Sequence, residues 1–306
     1  MSLLQPLQQR KLVVVTGKGG VGKSALTSAL GRLLATSGRR TLMLEVDPRE
    51  NLHQLLDVAP SAGEIVPVTR GETGGRLFLQ NLKPHEVVDW VVRKQVKIDM
   101  LVERVQKSPV YHRFVEGAPG LKEMAILGHA LRLVRGDMGR EVPPLDTVVL
   151  DAPATGHGVY LLTASRLYAE AIAEGPFADL AREVADFTAD AEACSVVVVT
   201  LAEEMPVQEA LELRESLQTR FGREPELLVV NGLYPEVPEV DGPSHDADGL
   251  LDLWQRRRGV NARELQRLAR EWDGARVSLP LLPVDRGPIL VDQLTDRLGA
   301  ELGRVA

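Results

Sequence analysis

Apolar residues fall along this chain in two alternating patterns. Short β-branched runs occupy residues 12–16, 41–46, 77–82, 147–150, 196–201, 227–231 and 276–279, and the longer stretches between them carry apolar residues at helical spacing. Several runs are apolar on successive positions, as in Val13-Val14-Val15 and Val196-Val197-Val198-Val199. A strand with one solvated face alternates instead, so these strands are covered on both faces and belong to a mainly parallel sheet. Leu26, Leu30, Leu33 and Leu34 share one face of the first long helix, and Leu290, Leu294, Leu298 and Leu302 share one face of the last. The pattern predicts a doubly wound α/β fold, with a mainly parallel sheet of seven or eight strands and flanking helices.

Two stretches depart from plain alternation. Residues 85–135 are mostly helical in pattern, with Val88, Val91, Val92, Ile98, Leu101, Val102 and Val105 at helical spacing, and residues 160–190 form a second such stretch. They predict helical subdomain insertions over the sheet edge of one domain spanning residues 1–306. The alternative, helices that simply cover the sheet, stays open. The segment 235–248, rich in Pro, Glu, Asp, Gly and Ser, reads as a flexible surface loop.

Composition narrows the class. Hydrophobic residues make up 44% of the 306 residues, enough for a sizeable core without disulfides. The single cysteine, Cys194, can form neither an internal disulfide nor a four-thiolate zinc site, and it opens an apolar strand as a buried residue would. The net charge of −7 argues against a chain-wide nucleic-acid surface, and Arg256-Arg257-Arg258 reads as a solvated helix face. Residues 1–11 lack the apolar core of a signal peptide, and no run approaches the ~20 apolar residues of a membrane span. The expectation is a cytoplasmic protein with no stable membrane insertion.

The chemistry sits at the end of the first strand. Gly17-Lys18-Gly19-Gly20-Val21-Gly22-Lys23-Ser24 follows a strand and precedes a helix, the context a phosphate-binding loop requires. Glycines let the backbone turn so that N–H groups face phosphate oxygens, and the helix N-terminus adds partial positive charge. Gly17, Lys18, Gly19, Gly20, Val21, Gly22, Lys23, Ser24 and Ala25 form the expected nucleotide-contacting set. Lys23 would reach the β- and γ-phosphates of ATP, and the Ser24 hydroxyl would sit on Mg²⁺.

Lys18, just after the first glycine, resembles the signature lysine of the deviant Walker A ATPases, which include the MinD/ParA proteins and the arsenite-transporter ATPases. The resemblance implies a lysine that crosses a dimer interface and supplies a cation to the partner's nucleotide, as an arginine finger does in trans. Asp47-Pro48-Arg49-Glu50-Asn51-Leu52 is similar to switch I of the arsenite-transporter ATPases and of the ATPases that target tail-anchored membrane proteins. It implies that Asp47 orients the attacking water and holds Mg²⁺ through water. Asp151-Ala152-Pro153-Ala154-Thr155-Gly156-His157 resembles switch II of that branch, with an altered middle. It implies that Asp151 holds Mg²⁺ through water; His157 is a γ-phosphate sensor or a structural histidine.

Three further positions follow from the same resemblance, which runs from about residue 12 to residue 298. Asn231, in Val229-Val230-Asn231, would read the adenine edge. Glu203 occupies the place of a nucleotide-proximal acid. Pro280, opening Pro280-Leu281-Leu282-Pro283 before Arg286-Gly287, would close over the base. Lys18, Lys23, Asp47 and Asp151 are thus the expected catalytic residues, with ATP and Mg²⁺ as the expected cofactors.

The departures matter too. One cysteine and one P-loop disfavour metalloid transport, and no cysteine pair exists for a zinc-held dimer. The helical stretches hold only Met100 and Met124, so a client groove would be built from Val, Leu and Ile. The expectation is a bacterial-type, single-domain ATPase that dimerises with itself or with a paralogue and binds a protein client on its helical subdomain, without nucleic acid. Two alternatives stay open: a MinD/ParA-like positioning ATPase, and a nucleotide-gated chaperone or assembly module that does not hydrolyse.

Overall fold

Eight strands form one sheet in the order β3-β4-β2-β5-β1-β6-β7-β8. A computed structural model describes residues 2–69, 74, 76–95, 107–139, 142–153, 158–236 and 247–303. The chain opens with α1 (Leu4–Gln9), β1 (Leu12–Gly17), α2 (Lys23–Thr36), β2 (Thr41–Glu45) and α3 (Asn51–Leu56). Then come β3 (Val66–Pro67), β4 (Leu77–Asn81), α4 (Pro84–Gln95), α5 (Pro109–Gly117), α6 (Leu121–Arg135) and β5 (Thr147–Asp151). After β5 follow α7 (Gly158–Ala171), α8 (Pro176–Ala189), β6 (Cys194–Leu201) and α9 (Glu204–Ser216), which runs into a π-turn at Leu217–Phe221. The chain closes with β7 (Leu227–Leu233), α10 (Ala247–Glu271), β8 (Arg276–Pro280) and α11 (Pro288–Gly303). Every pairing is parallel except that of the two-residue β3 with β4 at the edge.

The seven predicted strands are present, and β3 is the eighth. Pattern reading missed it because two residues are too few for a period. Successive apolar residues in β1 feed opposite layers. Leu12 and Val14 pack with the helices α4 to α10, while Val13 and Val15 pack with α1, α2 and α11. That division is the physical reason the strands are apolar throughout. Leu26, Leu30 and Leu34 of α2 are buried, as are Leu294, Leu298 and Leu302 of α11; Leu33 and Leu290 are partly buried. Gly31 lets α2 lie close to β2, because a Cβ there would overlap the Met43 side chain. Cys194 is fully buried at the start of β6.

The helices α4, α5, α6, α7 and α8 lie in the same layer as α9 and α10, packed over one face of the sheet. Val88 is buried there, whereas Ile98, Leu101, Val102 and Val105 lie outside the described residues. Arg256, Arg257 and Arg258 lie on α10, with ion-pair partners at Asp252, Glu203 and Glu236. Among the described residues no helix is long and apolar enough to cross a membrane.

Candidate active site at the ends of the central strands

The central strand β1 lies between β5 and β6, and its connection to β2 runs one way across the sheet while β6 lies the other way. Ligands in open α/β sheets bind beyond the carboxyl ends of strands at such a reversal. The P-loop leaves β1 there. Gly17 adopts φ 148°, and a Cβ on it would run into the Val199 carbonyl of β6, so only glycine fits. Gly22, at φ 94°, is the N-cap of α2 and offers no side-chain cap, which leaves the first-turn N–H groups facing the loop. A Cβ on Gly22 would also collide with the Asn231 amide.

A cavity of about 610 Å³ opens beside this loop, lined by Gly19, Gly20, Lys23, Ser24, Asp47 and Asp151 together with the neighbouring residues of the two switch segments. The Ser24 hydroxyl donates to Asp151 Oδ2 at 2.6 Å, and Thr27 reaches Asp151 Oδ1 at 3.4 Å. Burial pushes the Asp151 carboxyl up to about 6, and Glu45 adds to the rise; the Ser24 hydroxyl, the Lys23 charge and Thr27 oppose it. Burial lowers the Lys23 ammonium from its ordinary value, with Asp151 working the other way. Lys23 Nζ donates to the Lys18 carbonyl at 2.9 Å. A buried carboxylate beside a hydroxyl is a hard oxygen donor set, which fits a magnesium ion. The uncapped helix end and Lys23 fit phosphate.

Asp47 enters from β2 across the cavity. Its Oδ1 accepts from the Arg49 backbone N–H at 2.8 Å and its Oδ2 from the Asn51 side-chain amide at 2.7 Å. The Asn81 side chain, at the end of β4, pairs with both backbone groups of Asp47. Beneath it Glu45, fully buried, meets His53 Nδ1 at 2.7 Å and accepts the Leu52 N–H at 3.0 Å, tying α3 to the end of β2.

Other expected residues stand further out. Lys18 does not line the cavity; its ammonium pairs with Glu209 of α9 at 2.7 Å. Asn231 ends its run in β7 with its amide donating to the Val21 carbonyl at 2.9 Å, so it braces the P-loop from behind. Glu203, at the N-cap of α9, pairs with Arg257 at 3.3 Å, and Pro280 closes β8. Val21 is buried, Ala25 lies in the first turn of α2, and residues 154–157, with His157, lie outside the described residues.

The family model for the anion-transporting ATPases matches residues 10–174, more than half of the chain, with every residue that lines the cavity beside the P-loop. The chain belongs to that family. It is accordingly an ATPase, and the branch is the one its two switch motifs resemble. Similar proteins include ATPase BagA of Mycobacterium tuberculosis, 27% identical over 253 residues that cover 82% of this chain and 73% of that protein. An arsenical pump-driving ATPase of Acidiphilium multivorum is 28% identical over 278 residues, covering 84% of this chain and 44% of that protein. An ATPase ASNA1 homolog of Paramecium tetraurelia is 28% identical over 159 residues, covering 51% of this chain and 44% of that protein.

Sequence reasoning passed over four residues that brace the residues of this candidate site. Glu45 left a signal, an acid ending an otherwise apolar strand, and its partner His53 is one turn into the next helix. Asn81 and Glu209 left none, because their roles depend on strand pairing and helix placement.

Proposed function

We propose that the protein is a dimeric, nucleotide-gated switch ATPase that hydrolyses MgATP and couples the cycle to binding or targeting a protein client. The observation that carries this reading is Lys18, whose ammonium is turned out of its own cavity and held by Glu209. A lysine that served its own phosphates would point inward, as Lys23 does; one held outside is available to a facing protomer. In this reading Lys18 enters the opposing site when two protomers close, and a homodimer or a pair with a paralogue meets the same requirement. Lys23, the P-loop N–H groups and the α2 N-terminus bind the phosphates. Ser24 and Asp151 would hold magnesium, with Asp47 reaching it through water. Bound magnesium would supply charge against the phosphate oxygens. Asp47 orients the attacking water, since each of its carboxylate oxygens keeps acceptor capacity beyond its one hydrogen bond. Asn231 and Pro280 flank the base, and Glu203 stands near the nucleotide.

The client face of this proposal is a cleft of about 1120 Å³ walled by α5, α6, α7, α9 and the π-turn, with Val159, Tyr160, Leu167 and Leu213 among its apolar residues. Its walls α5, α6 and α7 belong to the helical insertions of this reading, at about residues 85–135 and 160–190. Its wall α7 begins directly after the switch II segment, and its wall α9 carries Glu209. In this reading a change at switch II, or release of Lys18 from Glu209, is passed on to the cleft. A cytoplasmic site of action and independence from nucleic acid belong to the same reading.

Light scattering with ATP turnover, on protein without nucleotide, with ADP and with a non-hydrolysable ATP analogue, tests it. The expected result is a dimer with the analogue and turnover per protomer that rises with protein concentration. A Lys18→Ala protein that hydrolyses ATP as fast as wild type overturns the trans-acting lysine.

A further inference from the structure

The loop 281–287, between β8 and α11, reaches back to switch I. Arg286 Nη2 donates to Asn51 Oδ1 at 2.6 Å, across 235 positions of sequence. The other end of the same amide, Asn51 Nδ2, donates to Asp47 Oδ2 at 2.7 Å. The two bonds are not independent. A carboxamide has one acceptor end and one donor end. With its oxygen held by a guanidinium, its NH₂ group is turned to the Asp47 carboxylate. Were the amide to rotate by half a turn, two oxygens would face each other at Asp47 and a donor would face the Arg286 cation. Both contacts would become repulsive, so Arg286 sets the sense of the amide.

Packing supports the same connection. Val291 of α11, directly beyond the loop, is fully buried in one cluster with Leu52, Leu55 and Leu56 of α3. The Asn81 side chain clamps the backbone of Asp47 and the Arg49 N–H holds Oδ1, so the Asn51 amide on Oδ2 is the side-chain contact that completes the aim of the carboxylate.

We propose that Arg286 is a positioning residue for hydrolysis. By fixing the Asn51 amide it aims the Asp47 carboxylate, so the conformation of the loop that follows Pro280 is read out at the hydrolytic end of the site. The inference rests on the reading of Asp47 as the residue that orients water. It places the loop's effect on turnover rather than on nucleotide affinity, because Arg286 bonds to switch I and does not line the phosphate cavity.

The test is steady-state ATP turnover of Arg286→Ala, Arg286→Lys, Asn51→Ala and the Arg286→Ala/Asn51→Ala double variant, with Asp47→Asn as control and a fluorescent ATP analogue for affinity. Loss of aim at a reacting group lowers kcat by about 10- to 100-fold, so Arg286→Ala should fall in that range with analogue affinity within about twofold of wild type. Arg286→Lys keeps a cationic donor and should recover most of the loss. The double variant should turn over no more slowly than Asn51→Ala, because the two residues act in series. Arg286 is exposed, so its replacement leaves the fold intact. An Arg286→Ala protein with wild-type kcat beside an inactive Asp47→Asn protein overturns this inference alone, as do losses that multiply in the double variant. An Asp47→Asn protein with wild-type turnover overturns the reading of Asp47 itself.

Discussion

Two cavities among the described residues differ in size and in what walls them. The cleft among α5, α6, α7 and α9 has about 1120 Å³ against about 610 Å³ beside the P-loop. The cleft is walled by helix faces whose charged residues, such as Arg166 and Glu170, pair with one another in solvent. The P-loop cavity is walled by strand ends and backbone, and it contains a carboxyl pushed up to about 6 and an ammonium pushed down by burial. Strand ends carry side chains whose position is fixed by sheet register, and they hold charged groups away from water. Helix faces present long side chains that stay solvated. Beside the P-loop, burial makes charge costly enough that a bound cation or phosphate would relieve it.

The largest expected effect tests whether that contrast is functional. Lys23→Ala should lower ATP turnover on the order of 10³-fold, since a positioned cation at the transferring phosphate is lost. A variant retaining more than about a tenth of wild-type turnover would break the comparison at its strongest point.

The second effect has two signs in one protein. The Asp151 carboxyl stands at about 6 when folded and near 3.8 when unfolded. The folded state thus holds the extra proton between those values, and above pH 6 the charged carboxylate costs the metal-free protein stability. Asp151→Asn should raise the thermal midpoint of metal-free protein at pH 7 and reduce turnover on the order of 10²-fold. Differential scanning calorimetry in a chelator, beside the turnover assay, checks both halves. A midpoint that falls would mean that Asp151 is a structural acid.

The helical layer has its own buried titratable group with the opposite slope. Burial, with the nearby Arg132 charge, lowers His129 of α6 from 6.5 to about 4, and its Nε2 lies 2.9 Å from Gln80 Oε1 of β4. The imidazole stays neutral when folded and charges when unfolded. Its contribution is therefore fully present above pH 6.5 and is lost as pH falls towards 4, by about 3 kcal/mol in total. Chemical denaturation of wild type and His129→Gln across that window should show the wild type losing more stability on acidification. Parallel profiles would remove His129 as the cause.

The smallest effect belongs to the outer surface of the same layer. Arg135 on α6 and Glu183 on α8 form an ion pair at 2.7 Å with both side chains about half exposed. Arg135→Ala should change stability by no more than about 0.5 kcal/mol, because exposed pairs are screened. A loss beyond about 2 kcal/mol, read by urea denaturation, would show that the helical layer depends on its surface charges as the strand-end site does on its buried ones.

How much was legible follows from the range over which each signal acts. The P-loop was readable because its glycines, Lys23 and Ser24 are consecutive and sit between a strand and a helix. Asp47 was readable through the resemblance of residues 47–52 to a switch I segment, and Asp151 as an acid ending an apolar strand beside that loop. Glu45 carried the same mark and was overlooked because a buried acid needs a partner, and His53 becomes one only when α3 turns back under β2. Glu209 looks like any acid on an amphipathic helix. Its contact with Lys18 depends on where α9 crosses the end of β1. Arg286 and Asn51 lie too far apart in sequence for any local pattern to join them.

The sequence by itself determined the class of fold, the order of the strands along the chain, the phosphate loop and Asp151 at the end of its strand. Each of these rests on local physics: a periodicity, a run of glycines, a charge at the end of an apolar run. Only the tertiary structure decided what each polar group meets. It set Glu45 beside Asp151 by strand register, turned Lys18 out to Glu209, put Asn231 behind the P-loop and joined Arg286 to Asn51. Hydrogen bonds and ion pairs act over a few ångströms, and which side chains come that close is settled by packing across the whole sheet rather than by neighbours in the chain.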